Sequence, residues 1–222
     1  MSWFGQTLSS TIGRKVAMSL SALFLISFLI IHVAINFLSV FSEDLYNSAS
    51  HFMGTNPLIQ FAMQPILIIG VVFHFVMGFV LELKNRNARP IKYAMKDGSS
   101  NSTWNSRNMI ISGLVILAFL VLHFVDFWLP EMNYKYINQL PADENRYFDE
   151  LVHRMQNPVR VGIYVVAFVL LAMHLLHGFQ SAFQSLGVNN KFTPGIKKFA
   201  TAFSYIVPLM FIIIAIFHFL NH

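Results

Sequence analysis

The sequence predicts an all-α membrane protein with five transmembrane helices, and three observations carry that prediction. Of 222 residues, 55% are hydrophobic and only 11% charged, and the mean hydropathy of +0.57 lies beyond the range of an ordinary soluble domain. The apolar residues gather into five runs, at 16–41, 58–83, 108–129, 158–186 and 199–220. Each is long enough as a helix to cross a hydrocarbon core of about 30 Å. The charged residues fall almost entirely between the runs, so one transmembrane domain over 1–222 is expected, with the first four spans forming a bundle.

The first run follows the polar segment MSWFGQTLSSTIGRK and is too long for the apolar region of a cleavable signal, so it is expected to be an uncleaved anchor. The second and fourth runs both open on Asn-Pro, at Asn56-Pro57 and Asn157-Pro158. Asparagine is a good N-cap, and proline suits the first helical position. The third run begins after Arg107 and the fifth after Lys197-Lys198. Between the third and fourth, Leu129 to Gln156 is the longest excursion, and its 147–152 stretch suits a short surface helix over one end of the bundle.

Five spans place the termini on opposite faces. Most Lys and Arg residues lie in the N-terminus and in the loops between spans two and three and spans four and five: Arg14, Lys15, Lys84, Arg86, Arg89, Lys92, Lys96, Arg107, Lys191, Lys197 and Lys198. Those segments, and hence the N-terminus, are expected to be cytoplasmic. The other face carries most of the acids, among them Glu43, Asp44, Asp143, Glu144, Asp149 and Glu150. The net charge of +5 therefore reads as topology, with membrane lipid or a docked protein as the partner of the basic loops and no nucleic acid expected.

Four spans each hold a deep histidine: His32, His74, His123 and His174. Ionisable side chains inside a membrane are costly and mark function by default, and imidazole is a common metal and haem ligand. Their depths match in pairs. His74 and His174 each lie about 25 Å of helical rise beyond the Asn-Pro cap of their span. His32 lies about 25 Å beyond Lys15 and His123 about 25 Å beyond Arg107, travelling the other way. The bundle thus has an inner pair, His74 and His174, and an outer pair, His32 and His123.

Two histidines at one depth on different helices suit a six-coordinate haem iron, with one imidazole on each axial face. Two such levels would stack two haems across the membrane. Zinc or non-haem iron would want three or more ligands, usually with a carboxylate. A transporter or proton relay would more often carry Asp, Glu or Lys in mid-membrane. The chain has no cysteine, which excludes disulfides, cysteine-ligated iron–sulfur clusters and covalent c-type haem. Each inner histidine is followed four residues later by glycine, Gly78 and Gly178, on the same helix face. These glycines either let a flat macrocycle lie against the backbone or serve helix packing. His177 lies one turn below His174, where it would contact a haem propionate or stay a buried polar residue. Asp126, three residues beyond His123, is the one acid inside a span other than Glu82 at its boundary, and it suits either a proton-accepting or proton-relaying role or a pairing with Arg160. No partner is evident for His51, His218 or His222, and His153 reads as a solvated loop residue rather than a ligand.

These residues together resemble the di-haem cytochrome b membrane anchor of succinate dehydrogenase and fumarate reductase, in its five-helix, single-polypeptide form. The resemblance rests on Ile31-His32-Val33 with Asn36, on Tyr46-Asn47-Ser48-Ala49-Ser50-His51-Phe52-Met53, on His74 with Gly78, on His123 with Asp126, and on His174 with Gly178 and Phe179. It implies that His32, His74, His123 and His174 are the axial ligands of two b haems. It further implies a flavoprotein subunit with covalent FAD, where succinate and fumarate interconvert, and an iron–sulfur subunit, both on the cytoplasmic face. Menaquinone would be the lipid-soluble substrate, reached through the inner and then the outer haem, and the setting a bacterial cytoplasmic membrane and its respiratory chain. The enzyme activity assigned to the chain is that of the quinone-reactive cytochrome b subunit, and the basic loop from Lys84 to Arg107 is the expected iron–sulfur docking surface. Haem subunits of nitrate reductases, hydrogenases or formate dehydrogenases are the nearer alternative, although those would concentrate their ligands on fewer helices. A non-redox transporter is the more distant one.

Overall fold

A computed structural model describes residues 10–87 and 108–222, and among these all regular structure is helical. Five helices are long and apolar enough to cross a membrane: α1 (Thr11–Leu38), α3 (Ile59–Asn87), α4 (Met109–Ile137), α6 (Pro158–Ser185) and α7 (Thr193–Asn221). Two shorter helices, α2 (Glu43–Thr55) and α5 (Arg146–Met155), lie together across one end. The chain is a multi-pass helical membrane protein. Its five long helices alternate in direction, so the starts of α1, α4 and α7 share a basic end with Lys84, Arg86 and Lys191. The opposite end carries α2, α5 and most of the acids.

Asparagine caps start α3 and α6 where the sequence places them, and two serine caps that the sequence reading did not name start α1 and α2. Asn157 accepts from Arg160 N at 3.1 Å, and Asn56 accepts from Leu58 N at 3.0 Å. Ser10 accepts from Gly13 N to open α1, and Ser42 accepts from Leu45 N to open α2. Each of these side chains satisfies a backbone donor that the first helical turn leaves without a partner.

The helical segment of the third span runs on to Ile137, beyond the expected end near 129. Leu129-Pro130 reads as a stop because proline cannot donate to the carbonyl four residues earlier and its ring crowds it. The helix instead widens into a π turn at Phe124–Trp128 and passes the proline, just as α3 widens at Ile59–Met63 ahead of Pro65. Past Pro130, the Glu131–Lys135 ion pair spans one turn and helps to carry the helix out over the bundle end.

The best-packed helix pair is α6 with α7, where Ala167, Leu175 and Phe179 join Ala200, Phe203, Val207 and Phe211 in the core. Helix α6 also packs on α4 and α1, so it is central to the bundle, whereas α3 meets chiefly α1 and has no buried residue. The 147–152 stretch lies within α5, which turns Phe148, Leu151 and Met155 inward onto the core. His153 is an exposed residue of that helix rather than of a loop.

Candidate functional site

The four deep histidines come together two by two. His74 of α3 and His174 of α6 face each other near the basic end, with ring centroids 6.4 Å apart and planes at 68°. His32 of α1 and His123 of α4 face each other nearer the acidic end, at 5.7 Å and 87°. Each pair draws on two helices, and each of the four helices gives one histidine. Bonds of about 2 Å from a metal to one nitrogen of each ring, with the ring radii added, require centroids roughly 6 Å apart. Both levels have that spacing. Among the described residues no three His, Cys, Asp or Glu side chains converge in the way a zinc or non-haem iron site needs.

The surroundings of the pairs repeat between the two halves of the bundle. Ser21 Oγ lies 3.0 Å from His74 Nδ1, and Ser112 Oγ lies 3.2 Å from His174 Nδ1. Phe28 stacks on His32 at 5.2 Å, and Phe119 stacks on His123 at 5.8 Å. Met18, Ser21, Phe28 and His32 of α1 therefore recur at identical spacing as Met109, Ser112, Phe119 and His123 of α4. Sequence reasoning missed the two serines and the two phenylalanines. The signal was present, as Met-x-x-Ser followed by Phe-x-x-x-His in both spans.

The glycines take part in the same repeat. A Cβ on Gly78 would lie 3.7 Å from Met18 Cε, and one on Gly178 would lie 3.2 Å from Met109 Cε. The missing side chain at Gly178 thus lets α6 approach α4 closely, whereas a Cβ at Gly78 would make only ordinary van der Waals contact with Met18. His177 is partly buried one turn along from His174, and it is His174 whose ring faces His74.

Beside the second pair, Asp126 is withdrawn from solvent, its side chain 0% exposed. Tyr164 donates to its Oδ2 at 2.8 Å, and Arg160, whose side chain is 28% exposed, reaches its Oδ1 at 3.2 Å. The widened turn at Phe124–Trp128 contains Asp126, and both of the acid's partners come from α6. An apolar groove of about 490 Å³ opens between α4 and α6, lined by Val115, Ala118, Phe119, Gly162 and Ile163 among others. Phe119 is thus both a wall of this groove and the ring stacked on His123.

The three histidines left without partners by the sequence find them in the fold, His51 with its Nε2 3.6 Å from Glu144 Oε1. His218 of α7 is fully buried, with its Nε2 2.9 Å from Ser39 Oγ, and its ring stacks on His222 at 5.6 Å. Over the acidic end, Arg146 is ion-paired to Glu131 and Glu150 and lies over the rings of Tyr134 and Tyr147. Lys135 bridges Glu131 and the Gly54 carbonyl. This network ties α2, α4 and α5 into one cover. Burial opposes the charge of Arg146, yet the hydrogen bonds to Glu131 and Glu150 outweigh it and hold the guanidinium protonated beyond its ordinary range.

Fold and site together define a multi-pass helical membrane protein with two levels of facing imidazoles. The chain is similar to the succinate dehydrogenase cytochrome b558 subunit of Bacillus subtilis (strain 168), with 24% identity over 181 residues, 81% of this chain and 81% of that one. That likeness supports the family whose motifs the sequence resembles. No protein-family model and no solved structure matches the chain.

Proposed function

We propose that this chain is the membrane anchor and electron-transfer subunit of a succinate:quinone oxidoreductase. The observation that carries the proposal is the pairing of four histidines from four helices at two depths, with ring separations of 6.4 and 5.7 Å. The similarity to a succinate dehydrogenase cytochrome b subunit supports it independently. His74 and His174 would hold one b haem and His32 and His123 the other. When bound, the two b haems supply one-electron redox centres at two depths of the membrane.

The chain's own residues set the conditions for that chemistry. Imidazoles hold and orient, and the apolar spans exclude water. Phe28 and Phe119 fix the ring planes of His32 and His123 by stacking. Asp126 and Tyr164 offer a proton-holding pair beside the outer level, where menaquinone would be reduced, and the apolar groove along Phe119 suits a prenyl tail. Gly78, Gly178 and His177 belong to the surroundings of the inner haem.

The flavoprotein and iron–sulfur subunits would dock at the basic end, which is then the cytoplasmic one and holds the N-terminus. Of the expected docking loop, Lys84 and Arg86 are described, while Arg89, Lys92, Lys96 and Arg107 lie outside the described residues. Crosslinking from this loop should capture the iron–sulfur subunit; crosslinks found only from residues 129–156 would invert the topology. A pyridine haemochrome assay on the purified complex tests the functional reading. It should give two b haems per chain, and a haem-free protein that neither binds nor co-purifies with a succinate-oxidising flavoprotein would refute it.

A further inference from the structure

The serines beside the inner pair do more than fill space, because the destination of their hydrogens fixes the chemistry of the imidazoles. Ser21 Oγ donates to the Met18 carbonyl at 2.8 Å, and Ser112 Oγ donates to the Met109 carbonyl at 3.0 Å. A hydroxyl has one hydrogen and two lone pairs. With that hydrogen on the carbonyl, the closer acceptor at each serine, each Oγ meets its histidine as an acceptor, and Nδ1 of His74 and of His174 carries the N–H. A neutral imidazole with its proton on Nδ1 keeps its remaining lone pair on Nε2.

We propose that Ser21 and Ser112 are positioning residues that hold His74 and His174 in the Nδ1–H tautomer, so that both present Nε2 to a single metal centre. The inference rests on the haem reading above and deepens it. Two independent features support it. The arrangement occurs twice, on different helices, from the same Met-x-x-Ser sequence facing the same His-x-x-x-Gly sequence. It is also absent from the other level, where His123 Nδ1 is buried without a hydrogen-bond partner and His32 Nδ1 faces the amide nitrogen of Asn36 at 3.4 Å.

The difference between levels has an electronic consequence. An acceptor on the remote N–H of a ligating histidine fixes its orientation and raises its basicity, which favours the oxidised metal. The serines therefore act to lower the reduction potential of the inner centre, with no matching device at the outer one.

The test uses the whole complex with Ser21→Ala, Ser112→Ala, the double substitution, and Ser→Thr at each position. The readouts are optical redox titration and the low-spin EPR signals of the oxidised haems. Each alanine should shift the inner midpoint upward and alter the inner EPR signal, the double more than either single, with the outer component unchanged. Threonine keeps the hydroxyl and the bond back to its own helix and should restore wild-type values. Should an alanine variant fail to accumulate, Ser→Cys, of similar size with a weakly accepting sulfur, should give the same upward shift. Haem-replete variants with an unchanged inner potential and EPR signal would overturn the assignment, as would equal shifts at both levels or a shift that threonine does not restore. A wild-type complex without haem would instead refute the functional reading itself.

Discussion

Tyr164 donates its hydroxyl hydrogen to Asp126 Oδ2 at 2.8 Å, one turn beyond the histidine that stacks on Phe119. The other oxygen of the same carboxylate faces Arg160, so a fully buried charge is held by one neutral and one cationic partner from α6. A hydrogen bond to a charged group contributes about 1.5–3 kcal/mol. Tyr164→Phe should cost that order of stability in thermal unfolding of the solubilised protein. Asp126→Asn keeps most of the shape and removes the charge. If Asp126 passes protons to quinone, this variant should slow quinone-linked turnover and change its pH profile while leaving both haems in place. Unchanged turnover and an unchanged profile would leave Asp126 only its structural pairing with Arg160.

The inner ligand on α6 should be His174 and not His177. His174 matches the depth of His74 and its ring faces His74, whereas His177 lies about 4.5 Å further along the helix. His174→Ala should remove one haem or convert it to high spin. His177→Ala should leave both low spin, with at most a shifted inner potential. The reverse pattern in optical spectra and haem content would exchange the two roles.

Tyr46, on α2 outside the membrane spans, should make the protein sensitive to alkali. Burial pushes its phenol up from 10 to about 12, a hydrogen bond with Ser50 opposes the shift, and Glu150 adds to it. A group whose folded pKa is raised contributes stability that is fully present below its unfolded pKa and lost as pH rises through the folded one. Stability should therefore decline between pH 10 and about 12. The loss should be roughly 2–3 kcal/mol from this residue and should disappear in Tyr46→Phe. Denaturant titrations of the two proteins across that window check it, and identical alkaline declines would exclude Tyr46 as the cause.

Arg146 is the centre of the cover at the acidic end, and its side chain is only 9% exposed. Removing it leaves Glu131 with Lys135, and leaves Glu150, whose side chain is 40% exposed, with water, so the cost should fall at about 1–3 kcal/mol, between an exposed and a fully buried ion pair. Arg146→Met should lower the unfolding midpoint and make α5 more susceptible to limited proteolysis than in the wild type. A loss below about 1 kcal/mol, the level of surface ion pairs, would show that water already screens the network.

The two levels of histidine were legible in the sequence because helical rise converts residue number directly into depth, and the Asn-Pro caps and basic residues supplied the starting marks. The serines were legible only as a Met-x-x-Ser repeat, which does not say what they contact. Ser19, Ser21 and Ser27 all lie in α1, small polar residues are common in membrane helices, and only the approach of α3 singles out Ser21 as the partner of His74. The extension of α4 to Ile137 was hidden for a different reason. Proline at 130 reads as a terminator unless the preceding turn widens, and a π turn leaves no mark in the pattern of apolar residues. His218 and Ser39 lie far apart in the chain, so their contact depends on how α7 packs and no local pattern announces it.

The central claim is that one metal centre belongs to each histidine level, and it is tested most directly by redox-resolved optical spectra of complexes carrying His74→Ala or His32→Ala. Wild-type protein should show two b-type components with separate midpoint potentials. His74→Ala should abolish or convert to high spin one component, and His32→Ala the other, with the surviving component close to its wild-type potential in each case. Loss of the same component in both variants, or retention of two low-spin haems in either, would contradict the pairing of His74 with His174 and of His32 with His123.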